Sequence, residues 1–183
     1  MAKATAAEIG RHVSPVAELF TAGSEDVSPL PWEEGQKRIA ENRIYWLTTV
    51  RPSGRPHTRP VLAVWVGDAL YTTSSASARK GRNLEANPSC SVAVMAEDMH
   101  IVLEGEASRV TSETRLEQVA QAYRDKYSWP VSIVEGGFEA PYAAPAAGAS
   151  PYQPYEITPS IVFGWVTSDA EDGWEERHTR WRF

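Results

Sequence analysis

Apolar and polar residues alternate along the middle of the chain in a pattern that predicts antiparallel strands. Segment 44–50 (IYWLTTV) is rich in β-branched and aromatic residues, as strands are. A second strand is predicted over 57–66, where Pro60 requires a sheet edge or a bulge because proline lacks the N–H of a ladder hydrogen bond. A tight turn at 67–68 then leads to a third strand over 69–74. Three strands in so short a stretch are typical of a meander or a barrel.

The strand pattern returns further along the chain. Segment 89–96 (SCSVAVMA) alternates as a half-buried strand should, and 100–111 (HIVLEGEASRVT) follows after an acidic turn. A last strand is predicted over 161–166 (IVFGWV), before the cationic and aromatic ending 178–183 (HTRWRF). The chain is therefore predicted to be mainly β.

Three segments instead have the spacing of helices. Segment 32–42 is weakly helical, with acids near its start, and 75–88 is compatible with a short helix that Ser77 caps. The clearest pattern is 112–127, where apolar residues recur at helical spacing behind a capping Ser112. Strands with a few flanking helices indicate the α+β fold class.

The length of the chain fits one domain. Residues 1–30 are predicted to be an irregular N-terminal extension, and 31–183 the domain itself. Within the domain, 130–156 is rich in Pro, Gly, Ala and Tyr and is predicted to be a long loop. Such a loop in a compact domain serves as a lid, a dimer arm or a mobile segment.

Charge and composition narrow the possible partners. The net charge of −6 disfavours a non-specific nucleic-acid binder. No apolar run approaches the roughly 18 residues of a membrane helix, and the first residues lack the features of a signal peptide. A single cysteine, Cys90, excludes an internal disulfide and suits the cytoplasm. We therefore expect a cytoplasmic protein without a membrane or nucleic-acid partner.

Two basic stretches stand out in this acidic chain: 51–59 (RPSGRPHTR) and 79–82 (RKGR). The second follows the hydroxyl-rich end of a predicted strand, 72–75 (TTSS), and opens a predicted helix. Each cation at a helix start destabilises the helix by roughly 0.3–1 kcal/mol, because the N-terminal end of the helix dipole is positive. An anion bound there is stabilised instead. The pattern therefore favours a phosphate site, and a capped surface helix with a solvated basic turn is the alternative.

Other chemistries have little support. No glycine-rich nucleotide-binding motif occurs, and the Ser77–Lys80 pair lacks the companion motifs of penicillin-recognising enzymes. The four histidines have no spacing typical of a metal site; they are His12, His57, His100 and His178. We expect no metal centre.

The order of these segments resembles the pyridoxamine 5′-phosphate oxidase-like family, whose members are flavin-binding split β-barrels. The resemblance covers about residues 33–183. Its pieces are IYWLTTVRPSGRPHTRPV, YTTSSASARKGRNLEANPSCSVAV, HIVLEGEA and the closing VFGW…TRWRF, of which the second is the most specific.

The resemblance implies a homodimer with cofactors at the subunit interface, each touched by both chains. The residues implied along the isoalloxazine ring are Arg59, Pro60 and Val61. Those implied at the ribityl-phosphate region are Thr73, Ser74 and Ser75, and those at the phosphate are Arg79 and Lys80. His100 falls where the oxidases carry a glutamine that reaches the flavin from the other chain. The residues implied in the C-terminal segment that closes the site are Trp165, Arg180 and Trp181.

The implied function is that of an oxidoreductase using FMN, or alternatively the deazaflavin coenzyme F-420, for hydride transfer with a small-molecule substrate. Vitamin B6 oxidation is not expected, because 177–180 (RHTR) only partly matches the substrate-binding pattern of the oxidases. A non-catalytic carrier or sensor of flavin or haem, and a dimeric interaction domain without ligand, remain as alternatives. The sequence identifies no catalytic residue, and His100 and Tyr71 are the only proton-donor candidates.

Overall fold

Eleven strands and three helices make up the part of the chain that the computed structural model describes, which is residues 14–20, 27–144, 147–167 and 177–183. The strands are β1 Val16–Leu19, β2 Tyr45–Val50, β3 Pro56–Val61, β4 Ala63–Val66, β5 Ala69–Ser75, β6 Ser89–Met95, β7 Met99–Arg109, β8 Ser132–Val134, β9 Gly137–Glu139, β10 Tyr152–Val166 and β11 Thr179–Arg182. The helices are α1 Trp32–Glu41, α2 Arg79–Ala86 and α3 Glu113–Tyr127. No helix in these ranges is long and apolar enough to cross a membrane.

The long strand β10 organises the sheet. Seven strands follow the order β1-β11-β10-β7-β6-β2-β3, and all their pairings are antiparallel. The first half of β10 also pairs with β5, and β5 pairs with β4. One strand thus joins two sheet portions, which is the arrangement of a split β-barrel and confirms the predicted fold class.

A bulge in β10 between Pro159 and Ile161 marks the place where this strand changes partners. Opposite the bulge lies Gly105 of β7, and a Cβ atom there would be 2.1 Å from the carbonyl oxygen of Thr158. Only glycine allows the two backbones to approach so closely.

The core has two parts, one on each side of β5. The larger lies inside the sheet and includes Tyr45, Leu47, Ile101 and Trp181. The smaller lies under α3; its members include Val64, Tyr71, Val119, Tyr123, Phe138 and Tyr152. The end of α3 and the end of β5 are therefore fixed to the same core, and the candidate site described below lies beside both.

Several predicted elements are confirmed. Helix α3 begins behind Ser112, whose Oγ accepts a hydrogen bond from the Arg115 amide at 3.4 Å. Pro60 lies in β3, which ends the sheet order and so needs no second partner. The strand predicted over 57–66 is interrupted at Leu62, whose carbonyl accepts hydrogen bonds from the side chains of Thr72 and Tyr123.

Three predictions were wrong. Residues 1–30 were predicted to be irregular, but Val16–Leu19 form a strand that pairs with the edge of β11. Residues 1–13 and 21–26 lie outside the described ranges. Within 130–156, β8 and β9 form a hairpin and β10 begins at Tyr152, so the segment is only partly a loop. Ser77 does not cap α2, since Ala78 occupies that position and the Ser77 hydroxyl lies 3.0 Å from the Ser75 hydroxyl.

Candidate cofactor-binding site

A cavity of about 730 Å³ lies between β3, the end of β5, the start of α2 and the end of α3. Tyr142, Ala143, Ala144 and Ala147, which lie between β9 and β10, line another part of it. The described side chains around the cavity include a cationic group, which we call the cationic end, and an aromatic group, which we call the aromatic end. Its size suits a cofactor or a small-molecule ligand.

The cationic end is built on the first turn of α2. Arg79 and Lys80 occupy that turn, which contains no acidic residue and which no side chain caps. Thr73 and Ser74, from the end of β5, lie beside them along the cavity wall. Burial lowers the pKa of Lys80, because an ammonium group is less stable away from water. Such an end favours an anionic ligand by both charge and helix dipole.

A glycine sets how closely α2 lies against β5. A Cβ atom at Gly81 would be 2.8 Å from the Ser75 carbonyl oxygen and 2.9 Å from Ser74 Oγ. The absence of a side chain at this position therefore lets the helix start lie directly against the strand end. The hydroxyls of β5 and the cations of α2 are brought together in this way.

Strand β3 forms a second wall of the cavity. Arg59, Pro60 and Val61 line it, as does Leu62 just beyond the strand. His57, two residues earlier, also lines the cavity although it is only 6% exposed. The structure thus brings together seven residues that the sequence implicated: Arg59, Pro60, Val61, Thr73, Ser74, Arg79 and Lys80.

The aromatic end contains residues that the sequence did not single out. Its large side chains are Tyr127, Trp129, Tyr142 and Tyr152, and small ones are Ala143, Ala144 and Ala147. Trp129 Nε1 donates to the Tyr142 carbonyl at 2.8 Å, and the Tyr142 hydroxyl donates to the Ser128 carbonyl at 2.9 Å. In the sequence, the aromatic end was indicated only by the Ala- and Tyr-rich composition of 130–156.

The other predicted site residues do not line the cavity. Ser75 is buried beneath it, with its hydroxyl 3.0 Å from that of Ser77. Trp181 is fully buried in the larger core, where its Nε1 donates to the Leu30 carbonyl at 2.9 Å. Trp181 therefore has no free face on which a ring could stack within its own chain.

His100, Trp165 and Arg180 lie together on the face of the sheet that points away from the core. His100 is the cross-strand partner of Trp165, and Arg180 is the partner of Phe163. We call this surface the outer sheet face; its apolar members are Trp46, Ala93, Met95, Val102, Phe163 and Trp165. These three predicted residues therefore do not meet the cavity of their own chain.

Tyr71 is not available as a proton donor in the cavity. It is 1% exposed, and its hydroxyl donates to Glu156 Oε2 at 2.7 Å. Burial, followed by this hydrogen bond, raises the pKa of Tyr71 well above its usual value. In the described ranges, which exclude His12, no group of three or more acidic, histidine or cysteine side chains is arranged to hold a metal ion.

The two joined sheet portions and the cavity beside them define the protein as a split β-barrel with a ligand-sized site. The family described as pyridoxamine 5′-phosphate oxidase matches residues 31–165. The chain belongs to this family. No match was found among curated proteins.

Solved structures share the fold. A haem-binding protein from Mycobacterium smegmatis superimposes with a TM-score of 0.57 at 22% identity over 75% of this chain, which spans only 55% of that protein. A FAD-binding protein from Mesorhizobium loti gives 0.54 at 15% identity, over 84% of this chain and 95% of the other. An F-420 reductase gives 0.51 at 21% identity, over 69% and 94%.

Proposed function

We propose that the chain is an oxidoreductase that binds FMN, or alternatively coenzyme F-420, in this cavity and exchanges hydride with a small-molecule substrate. The observation that carries the proposal is that one cavity combines Arg79 and Lys80 at an uncapped helix start with apolar and aromatic walls, which include Pro60 and Val61 of β3. A phosphorylated ring cofactor has the two matching parts. Similar folds occur in proteins described as FAD-binding, haem-binding and F-420 reductase, which agrees with this class of ligand.

In the proposed complex, the phosphate lies against Arg79 and Lys80. The hydroxyls of Thr73 and Ser74 are next to it, and the ring extends along Arg59, Pro60 and Val61. A charge-assisted hydrogen bond contributes about 1.5–3 kcal/mol, so the two cations supply most of the affinity that depends on the phosphate. The half-buried Lys80 gains most, because a dianion offsets the cost of keeping part of its ammonium group away from water.

The homodimer is part of the proposal, and the outer sheet face is its interface. Three of its members are unusually exposed for apolar side chains: Met95 is 67% exposed, Trp46 45% and Trp165 37%. Pro60, which lines the cavity, is the cross-strand partner of Trp46, so the cavity borders this face. A partner docked there would bring its own His100, Trp165 and Arg180 towards the ring, as the family resemblance implies.

Replacing Trp46 by Asp is expected to dissociate the dimer, because it places a charge in an apolar contact. Sedimentation of the wild type should give about twice the chain mass of 20.2 kDa, and the variant should give that mass once. Ile133→Asp is the matched control, since Ile133 is 39% exposed on β8 and away from the outer sheet face. A dimeric Trp46→Asp protein would exclude this face as the interface.

When bound, either cofactor supplies the hydride chemistry, and the chain supplies binding, orientation and the exclusion of water. The described cavity lining contains no carboxylate, and His57 is its only histidine. A non-catalytic carrier is the second candidate, and the lack of a carboxylate in the lining favours it.

Titration of the purified protein with FMN, F-420 and haemin, followed by absorption and fluorescence, tests the proposal. We expect FMN or F-420 to bind and haemin not to bind. The bound cofactor should then be reduced and reoxidised by small electron acceptors faster than the free cofactor. Binding without any acceleration would favour the carrier, and failure of both FMN and F-420 to bind would contradict the proposed function.

A further inference from the structure

His57 is a buried histidine with an unusual position in the cavity wall. It lies on β3, is 6% exposed and lines the cavity. Its Nδ1 atom is sealed from solvent and has no hydrogen-bond partner among the described residues. Nε2 is not among the sealed atoms, so it is the ring nitrogen that can reach the cavity. Because Nδ1 is sealed, a ligand in the cavity can contact this imidazole only through Nε2.

The groups that act on His57 are all cations. Burial lowers the pKa of His57 first, and the charges of Arg59, Arg51, Arg79 and Lys80 lower it further. Arg59 lies on the same strand, Arg51 in the turn before it, and Arg79 and Lys80 on α2. Both effects favour the neutral imidazole, which carries one proton.

That proton belongs on Nε2. A buried N–H group without an acceptor is rarer and more costly in proteins than an acceptor that lacks a donor. Because Nδ1 has no acceptor, the favoured tautomer leaves a lone pair on Nδ1 and the N–H on Nε2. The cavity wall thus contains a neutral donor together with the cations Arg59, Arg79 and Lys80.

The position of His57 is fixed relative to the cations of α2. Thr49 Oγ1 donates to the His57 carbonyl at 3.3 Å, and Asn83 Nδ2 donates to Thr49 Oγ1 at 2.9 Å. Thr49 and Asn83 are both fully buried, and Asn83 belongs to the same helix as Arg79 and Lys80. These contacts connect β3 to α2 through β2.

We propose that His57 is a third ligand of the cofactor phosphate, to which its Nε2–H donates a hydrogen bond beside Arg79 and Lys80. This inference rests on the proposed function, since it assumes a phosphorylated cofactor in the cavity. A neutral donor contacts the anion without adding a fourth positive charge to the described lining of the unliganded site, which already contains Arg59, Arg79 and Lys80. His57 therefore strengthens phosphate binding while keeping repulsion in the empty cavity low.

The test compares His57→Gln with His57→Asn by fluorescence titration with FMN and with riboflavin, which lacks the phosphate. The Gln amide can present its N–H near the position of Nε2, whereas the Asn amide is too short. We expect His57→Asn to bind FMN about 10- to 150-fold more weakly, as for the loss of a hydrogen bond to a charged group. His57→Gln should recover most of that loss, and riboflavin affinity should change little in either variant.

Urea unfolding of both variants identifies any loss of folding. If His57→Asn is unstable, the test relies on His57→Gln, which should retain most of the wild-type affinity for FMN. If a folded His57→Asn protein binds FMN as tightly as the wild type, the role of His57 is wrong, but the proposed function still stands. Equal loss of FMN and riboflavin affinity would also overturn the inference, because His57 would then act on the ring or on the shape of the cavity. If the wild type binds neither FMN nor F-420, the proposed function fails and the inference with it.

Discussion

Replacement of both Arg79 and Lys80 by Ala is expected to weaken FMN binding by at least about a hundredfold, because each charge-assisted contact to the phosphate contributes about 1.5–3 kcal/mol. Riboflavin, which lacks the phosphate, should bind the double variant about as well as the wild type. Both cations lie in the first turn of α2 and line the cavity. Isothermal titration calorimetry of the two ligands measures the effect.

A matched control removes the same charge elsewhere. Lys37 and Arg55 are cations outside the cavity lining, on α1 and in the turn before β3. Their joint replacement by Ala changes the net charge equally and should leave FMN affinity within a few-fold of the wild type, since surface charges at a distance are screened. Unchanged FMN affinity in the Arg79→Ala, Lys80→Ala protein would show that the phosphate lies elsewhere.

Replacement of Trp181 by Ala is expected to lower the free energy of unfolding by about 3–5 kcal/mol, as for large aromatic side chains in cores. Trp181 is fully buried, packs against Trp32 with ring centroids 5.5 Å apart, and donates its Nε1–H to the Leu30 carbonyl. The close fit extends to Gly35 and Gly164, where an added Cβ would meet the indole ring at about 3 Å. Urea unfolding monitored by circular dichroism measures the loss.

Trp181→Phe is the control for this prediction. It keeps a large ring in the core but removes the hydrogen bond to Leu30, so it should lose less stability than Trp181→Ala. A Trp181→Ala protein that is as stable as the wild type yet fails to bind cofactor would contradict the structural role and restore the direct cofactor contact implied by the family resemblance.

The cationic end of the site could be predicted from the sequence because all its parts are close together in the chain. Thr73 and Ser74 lie near the end of a strand that the sequence predicted, and Arg79 and Lys80 follow within six residues of Ser74. A basic helix start is energetically unfavourable without an anion, and that local cost can be read without a structure. The fold class followed from the same kind of short-range pattern.

The aromatic end could not be predicted, because it depends on long-range packing. Trp129 and Tyr142 meet through a hydrogen bond across the β8–β9 hairpin, and nothing in the composition of that segment fixes its path. The strand Val16–Leu19 was missed for a related reason, since its partner β11 lies more than 150 residues later in the chain. The same non-local pairing hides the burial of Trp181, whose two flanking arginines suggested an exposed site.

The unpartnered Nδ1 atom of His57 could not be predicted from the sequence either. In the sequence, His57 is one of four scattered histidines and has no spacing of interest. Its importance comes from burial without a partner and from the positive charges of two other elements, Arg51 in the turn before β3 and Arg79 on α2. Neither property can be derived from local sequence, because each depends on which segments pack around the imidazole.

The most direct measurement is a crystal structure of the protein with FMN. Its phosphate should lie within hydrogen-bond distance of Arg79 and Lys80, with the ring along β3 and a second subunit on the outer sheet face. An FMN molecule bound with its phosphate away from the first turn of α2, or a cavity that stays empty at saturating FMN, would contradict this account.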